Sequence, residues 1–158
     1  MVQFSPIGTL HTPFQDTGQT PIQPSSAKGA KGSATILPPF IKGLKDLEGF
    51  SHIILLYLFH QQRAVKLQVV PFLDTELRGV FATRAPTRPN PIGLSIVKLE
   101  RVEEDKLVLL NVDMLDGTPL LDIKPYVPDF DSVKDSRIGW LEAARAQIPD
   151  KRSDQRFG

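Results

Sequence analysis

Gly93 to Met114 reads GLSIVKLERVEEDKLVLLNVDM, two apolar-rich runs joined by the charged stretch Glu103 to Lys106. Apolar and polar residues alternate imperfectly from Gly93 to Val102. From Leu107 to Met114 an extended chain sets Val108, Leu110, Val112 and Met114 on one face. Period-two patterning on both sides of a polar connection predicts an antiparallel hairpin.

Neighbouring stretches extend the pattern. His52 to Phe59, HIILLYLF, predicts a central strand buried on both faces. Lys66 to Phe72 and Gly79 to Thr83 predict short strands separated by the polar stretch Asp74 to Arg78. Val2 to Leu10, interrupted by Pro6 and Gly8, suits an edge or bulged strand. Asp116 to Pro119, DGTP, has Asp-Gly turn chemistry, and Leu120 to Lys124 resumes as a strand. Leu44 to Leu47 predicts one helical turn. Ser136 to Gln147 predicts a helix capped by Ser136 and stopped by Pro149, with Leu141, Ala144 and Ile148 on one side. Thr12 to Ser33 lacks periodicity and predicts a long loop of the kind that is functional or disordered. Six or more short strands with Pro- and Gly-rich turns and a late helix make the fold class mainly β, an antiparallel sheet or barrel. One domain, residues 1–149, precedes a polar tail, 150–158.

Composition bounds the function. The chain has 158 residues, 41% of them hydrophobic, enough for one domain with a real core. It has no cysteine, which excludes thiolate metal centres, disulfides and cysteine nucleophiles. The longest apolar run, Ile53 to Phe59, is far short of the roughly 18 to 20 residues of a membrane helix, and the amino terminus lacks a signal pattern. A cytoplasmic protein without a membrane partner is the expectation. The net charge of +1 gives no field that would drive nucleic-acid binding, so an RNA partner requires a local basic patch.

Common catalytic and phosphate-binding motifs are absent: no GxGxxG after a strand, no GxxxxGK, no GxSxG. Gly29 to Gly32, GAKG, lacks the flanking helices of a KH clamp. His52 and His60 lie about 26 Å apart on an extended chain, so no shared metal is expected.

Two segments stand out. Phe81 to Ser95, FATRAPTRPNPIGLS, crowds Pro86, Pro89 and Pro91 around two arginines and an asparagine. Proline fixes its own φ and extends the residue before it. The loop therefore either presents Arg84, Thr87, Arg88 and Asn90 to a carboxylate, phosphate or base edge, or is a stiff connection whose arginines pair with nearby acids. Asp116 to Asp131, DGTPLLDIKPYVPDFD, sets Asp122, Lys124 and Tyr126 on one face, as a proton-handling or phosphate-binding group or as a cross-strand ion pair.

Both segments resemble the signatures of the TsaA-like family. Pro6-Ile7-Gly8, Gln23-Pro24, Gly43 to Ile53 (GLKDLEGFSHI) and His60-Gln61 agree, so the resemblance spans about residues 3 to 140. It implies a small β-barrel that binds S-adenosylmethionine without a Rossmann fold, as a homodimer with the cofactor near the subunit interface. The implied reaction is methyl transfer to N6 of N6-threonylcarbamoyladenosine, 3′ of the anticodon in tRNA. By motif match the cofactor site takes Pro24, Ser25, Ser26, His60, Gln61, Arg84, Leu94, Asp116, Gly117, Thr118 and Pro119. Arg88, Asn90 and Lys124 fall on the substrate side, and Asp122, Lys124 and Tyr126 are the candidate catalytic residues, with no metal. Two departures stand: Ala85 replaces a usual serine, and Pro24-Ser25-Ser26 replaces Pro-Gly-Leu. The chain also ends before the carboxy-terminal extension of longer members. The same barrel acting on another RNA or small molecule, a non-catalytic nucleotide- or RNA-binding module and a ligand-free barrel are the competing readings.

Overall fold

The computed structural model describes residues 1–16, 28–61 and 64–150. Its strands are β1 (Gly8–His11), β2 (Lys31–Ile36), β3 (His52–Leu58), β4 (Gln68–Val69), β5 (Arg78–Gly79), β6 (Ile92–Glu103), β7 (Lys106–Leu110) and β8 (Thr118–Pro125). The expected hairpin is β6 and β7, joined at Glu104-Asp105, where Glu104 takes a left-handed φ of 51°. Six strands close into a barrel in the order β1-β2-β7-β6-β3-β8, all neighbours antiparallel, while β4 and β5 form a separate ribbon.

Inward side chains from every barrel strand make one core: Leu10, Ala34, Ile36, Ile53, Leu55, Tyr57, Val97, Leu99, Leu107, Leu109 and Leu120. Leu44, from the 3-10 turn Pro38–Leu44, packs against it beside the lower ends of the strands, and Val112 and Met114 beside the upper ends. The upper end carries the last residues of β1, β3 and β7 and the first of β2, β6 and β8.

Several expectations need correction. β3 is buried only at alternate positions: Ile53, Leu55 and Tyr57 point into the core, and Ile54, Leu56 and Leu58 face outward and stay half-buried. In the hairpin the inward residues of β7 are Leu107 and Leu109, not Val108 and Leu110. Asn111 then takes a left-handed φ of 66°, ends β7 and shifts the phase, so Val112 and Met114 point inward after all. The imperfect alternation of β6 is a register shift between Leu99 and Arg101. The first strand begins only at Gly8, and Leu47–Gly49 forms a second 3-10 turn after Pro38–Leu44. Gly79 to Thr83 is largely the 3-10 turn Val80–Ala82. The late helix is 3-10 and runs Gly139–Asp150, because left-handed residues at Asp135 and Gly139 prevent a regular start at Ser136. A one-turn helix α1 (Pro128–Asp131) follows β8.

Gly93 faces Tyr57 across β3 and β6, and a methyl on Gly93 would overlap the Tyr57 ring. Glycine is what lets that ring lie across the strand. Gly93→Ala should lower stability by about 1–3 kcal/mol, the usual cost of overpacking, read as a drop in the thermal unfolding midpoint.

Candidate functional site

Three connections leave and rejoin the barrel at its upper end: 12–30 between β1 and β2, 59–91 between β3 and β6, and 111–117 between β7 and β8. The first and third are stitched together. Thr12 N–H donates to Asp116 Oδ1 (3.0 Å), Thr12 Oγ1 donates to the Met114 carbonyl (2.7 Å) and Asp116 N–H donates to the Phe14 carbonyl (2.8 Å). His11 Nδ1 lies 3.9 Å from Asp116 Oδ1. Gly117, at φ 80°, donates its N–H to the Leu10 carbonyl, and buried Thr118 turns its hydroxyl back to the Leu115 carbonyl (2.6 Å). Asn111 holds the return of the first connection by accepting Gly29 N–H (2.9 Å).

The 59–91 connection has its own small core of Val69, Val80, Ala85 and Phe72. Ala85, the departure from serine, thus has apolar surroundings. Arg88 Nη1 donates to three carbonyls, Val80 (3.1 Å), Thr83 (2.8 Å) and Ala85 (3.1 Å), and its guanidinium lies 5.9 Å from the Phe81 ring centroid. Carbonyls of its own loop draw this arginine back, so it braces the turn. Thr87 is fully buried, with no partner for its Oγ1 among the described residues.

The fold gathers His60, Gln61, Arg84 and Asp116 to Pro119 at this one end. His60 and Gln61 are exposed just beyond β3, and Asn90 is exposed just before β6. Pro24, Ser25 and Ser26 lie outside the described residues. Leu94 sits elsewhere, on the outer surface opposite Leu56. Asp122 and Lys124 also point outward, opposite Leu56 and Ile54, and pair with each other at 3.0 Å, while Tyr126 N–H donates to the His52 carbonyl (3.1 Å). From Thr118 to Asp122 is about 13 Å of strand, so one chain does not bring this trio to the upper loops. A groove of about 540 Å³ opens at the lower end among Phe40, Leu47, Phe50 and Ile123, with Asp122 on its wall.

The residues missed by sequence reading form a chain inside the upper end of the barrel. Tyr57 Oη lies 2.8 Å from Ser95 Oγ, and Ser95 Oγ donates to Asp113 Oδ1 at 2.5 Å. Ser95 is fully buried and Asp113 only 8% exposed. Burial pushes the Asp113 carboxyl up to about 7, against the lowering effects of the Ser95 hydrogen bond and the Arg84 charge. Burial foremost, then Asp113, drives the Tyr57 phenol strongly upward, opposed by Ser95 and Arg84. Arg84 is therefore within electrostatic reach of the network. The available signals were a serine at an inward β6 position and an aspartate between Val112 and Met114.

Among the described residues no group of His, Asp and Glu is arranged to hold a metal, and no helix is long and apolar enough to cross a membrane. The fold is a small closed antiparallel β-barrel with polar and charged side chains collected in the loops at one end. The chain belongs to the tRNA-methyltransferase O N-terminal domain family, whose model matches residues 9–132. It is 51% identical over 157 residues to a probable S-adenosyl-L-methionine-binding protein of Pyrococcus abyssi, covering 99% of this chain and 85% of that one. It is 37% identical over 154 residues to the tRNA (adenine(37)-N6)-methyltransferase of Escherichia coli, covering 91% and 66%. The crystal structure of TrmO from Pseudomonas aeruginosa superposes with a TM-score of 0.75 at 45% identity, covering 89% of this chain and 62% of that one. The chain thus spans somewhat under two thirds of that solved protein.

Asp113 gives a pH signature. Its folded value, about 7, lies above the ordinary carboxyl value of 3.8, so between those limits the native state holds a proton that the unfolded chain has lost. Stability should therefore fall as pH rises from about 4 to 7 and level off above, by an amount on the order of a few kcal/mol. Asp113→Asn keeps an acceptor for Ser95 and should flatten that slope and raise the unfolding midpoint at pH 8. Thermal melts across pH 4 to 8 check it.

Proposed function

We infer that this chain binds S-adenosylmethionine at the upper end of the barrel and transfers its methyl group to N6 of an adenine in tRNA. The observation that carries the reading is the gathering of His60, Gln61, Arg84 and Asp116 to Pro119 at one end of a barrel whose family match runs through all six strands. The donor set fits the cofactor. Arg84 suits its carboxylate, Asp116 its ammonium, and Gln61 the edge of its adenine. Pro24, Ser25 and Ser26 belong to the same proposed site by motif.

Bound there, S-adenosylmethionine supplies an electrophilic methyl on a sulfonium. The N6–carbon bond forms as the sulfur–carbon bond breaks, leaving S-adenosylhomocysteine and one proton from N6. The chain contributes alignment, which is worth most in an in-line displacement. Within one chain Asp122, Lys124 and Tyr126 stay away from the upper loops, so Asp122 or Tyr126 would take the proton, and Lys124 would face the RNA, from the second copy of a homodimer, with Arg88 and Asn90 shaping the loop. The base proposed is N6-threonylcarbamoyladenosine 3′ of the anticodon, whose threonyl carboxylate suits a cation such as Lys124.

Two surfaces support partners. Ile54, Leu56 and Leu58 pair across strands with Ile96, Leu94 and Ile92 to make an outward apolar face, bordered by Asp122 and Lys124. A homodimer formed on this face would put Leu94 and the Asp122–Lys124 pair at the subunit interface. On the opposite side His11, Lys31, Arg101 and Lys106 line a groove of about 360 Å³ suited to phosphates, although Arg101 also pairs with Glu100 and Glu103. A cytoplasmic location goes with a tRNA substrate. A non-catalytic binding module is the second reading; the Pyrococcus abyssi relative, named a probable S-adenosyl-L-methionine-binding protein, supports its cofactor-binding part.

Nucleoside mass spectrometry of threonylcarbamoylated and unmodified tRNA, incubated with the protein and S-adenosylmethionine, should show one methyl added to the modified base alone. Cofactor binding without methylation of either tRNA selects the binding module. Arg84→Ala should weaken the cofactor about 10-fold to 150-fold by titration calorimetry, the loss of a charged hydrogen bond of about 1.5–3 kcal/mol. Ile96→Lys, which buries a charge in the apolar face, should give a monomer in sedimentation velocity, and a dimer unchanged by it would place the interface elsewhere.

A further inference from the structure

We propose that Phe81, backed by the Arg88 guanidinium, is the platform on which the target adenine of the RNA stacks. The inference rests on the reading that the chain methylates tRNA, and it assigns the base a seat.

Phe81 is 75% exposed, yet the turn that carries it is fixed on both sides. Val80 before it is buried in the small core and donates its N–H to the Leu67 carbonyl (2.8 Å). Ala82 after it accepts the Trp140 Nε1 hydrogen bond (2.7 Å), and Thr83 N–H closes the turn on the Val80 carbonyl (3.1 Å). Arg88 is anchored to three carbonyls of the same loop and sits 5.9 Å from the ring centroid. An exposed ring with little freedom left to lose, carrying a guanidinium, makes a stacking surface at small entropic cost.

Position separates Phe81 from the other exposed aromatics. Phe4, Phe40, Phe50 and Phe130 are exposed as well, but all lie in segments at the lower end of the barrel. Among the described residues Phe81 is the one phenylalanine, tyrosine or tryptophan exposed at the upper end. Arg84 is three positions further along, at most about 11 Å of chain, so a base on the Phe81 ring lies within a nucleotide's reach of the proposed cofactor carboxylate site. Bases in single-stranded loops splay out and stack on aromatic side chains, and that recognition tolerates any π-face. The ring supplies affinity and position, and the identity of the base is left to edge contacts such as Asn90.

The test is steady-state methylation of threonylcarbamoylated tRNA by the full chain and by Phe81→Leu and Phe81→Tyr. It is paired with binding of an anticodon stem-loop carrying 2-aminopurine at the target position. Phe81→Leu should lower kcat/KM for tRNA about 10-fold to 100-fold and abolish the quenching of 2-aminopurine seen on binding. Phe81→Tyr should stay within about threefold of the unsubstituted chain, and S-adenosylmethionine affinity and the sedimentation coefficient should not change in either variant. A Phe81→Leu chain that keeps its kcat/KM and its quenching overturns the inference and leaves the methylation reading standing. A change in cofactor affinity or oligomeric state as large as the loss of activity also overturns it, since the ring would then be structural. If the unsubstituted chain binds cofactor but methylates no tRNA, the reaction fails, and quenching that depends on Phe81 still supports the platform.

Discussion

Closure of the barrel through β8 is the constraint on which the molecule depends. β8 pairs with β1 by Leu10↔Thr118 through Gly8↔Leu120 and with β3 by Tyr57↔Leu120 through Ile53↔Pro125. Without it the sheet would expose two unpaired edges, and the core residues of β1 and β3 would lose neighbours. The register shift between Leu56 and Tyr57 lets one strand satisfy both neighbours. Since closure consumes the strand edges, ligand contacts are left to the end loops and the outer surface. At the upper end the described parts of the β1–β2 connection are stitched to the β7–β8 connection, whereas β6 and β7 at the lower end are joined by a two-residue turn.

The buried chain of Tyr57, Ser95 and Asp113 follows from the same register. Tyr57 stands opposite Gly93, so its ring can lean toward Ser95, two residues further along β6. Asp113 arrives from the 111–117 connection because Asn111 turns that segment inward. A carboxyl so enclosed costs stability when ionised. Its proximity to Arg84 ties the protonation of the barrel's interior to the charge that faces the proposed cofactor.

The alternation in β6 was legible because side chains on a strand report their own face, and Gly93 to Val97 needed no knowledge of distant partners. In β3 an almost unbroken apolar run hid the alternation and suggested burial on both faces, whereas only every second residue points inward. The phase of Val112 and Met114 was not legible, since Asn111 is held left-handed by Gly29 and Ala30, some 80 residues away in sequence. Arg88 shows the same limit. Its proline neighbours announce a rigid loop, but only the folded turn shows that three carbonyls converge on its guanidinium. The Asp116 turn was readable from Asp-Gly chemistry, whereas the Ser95 to Asp113 contact depends on the barrel register and on the Asn111 turn together.

The outer surface divides along β6. Toward β3, its outward residues Ile92, Leu94 and Ile96 meet Leu58, Leu56 and Ile54, and water gains nothing from so much apolar area. Toward β7, Lys98 stands opposite Leu110 and Arg101 opposite Val108, with Lys31 and Lys106 on the strands alongside. An apolar half gains by being covered, while a cationic half keeps its hydration and attracts phosphates at long range. A second copy and an RNA backbone would therefore use separate parts of the barrel and would not compete. Pairing on the apolar half would leave the basic half of each copy exposed on its far side. For a chain with a net charge of +1, it is this local basic half, not the composition, that supplies attraction for an RNA backbone.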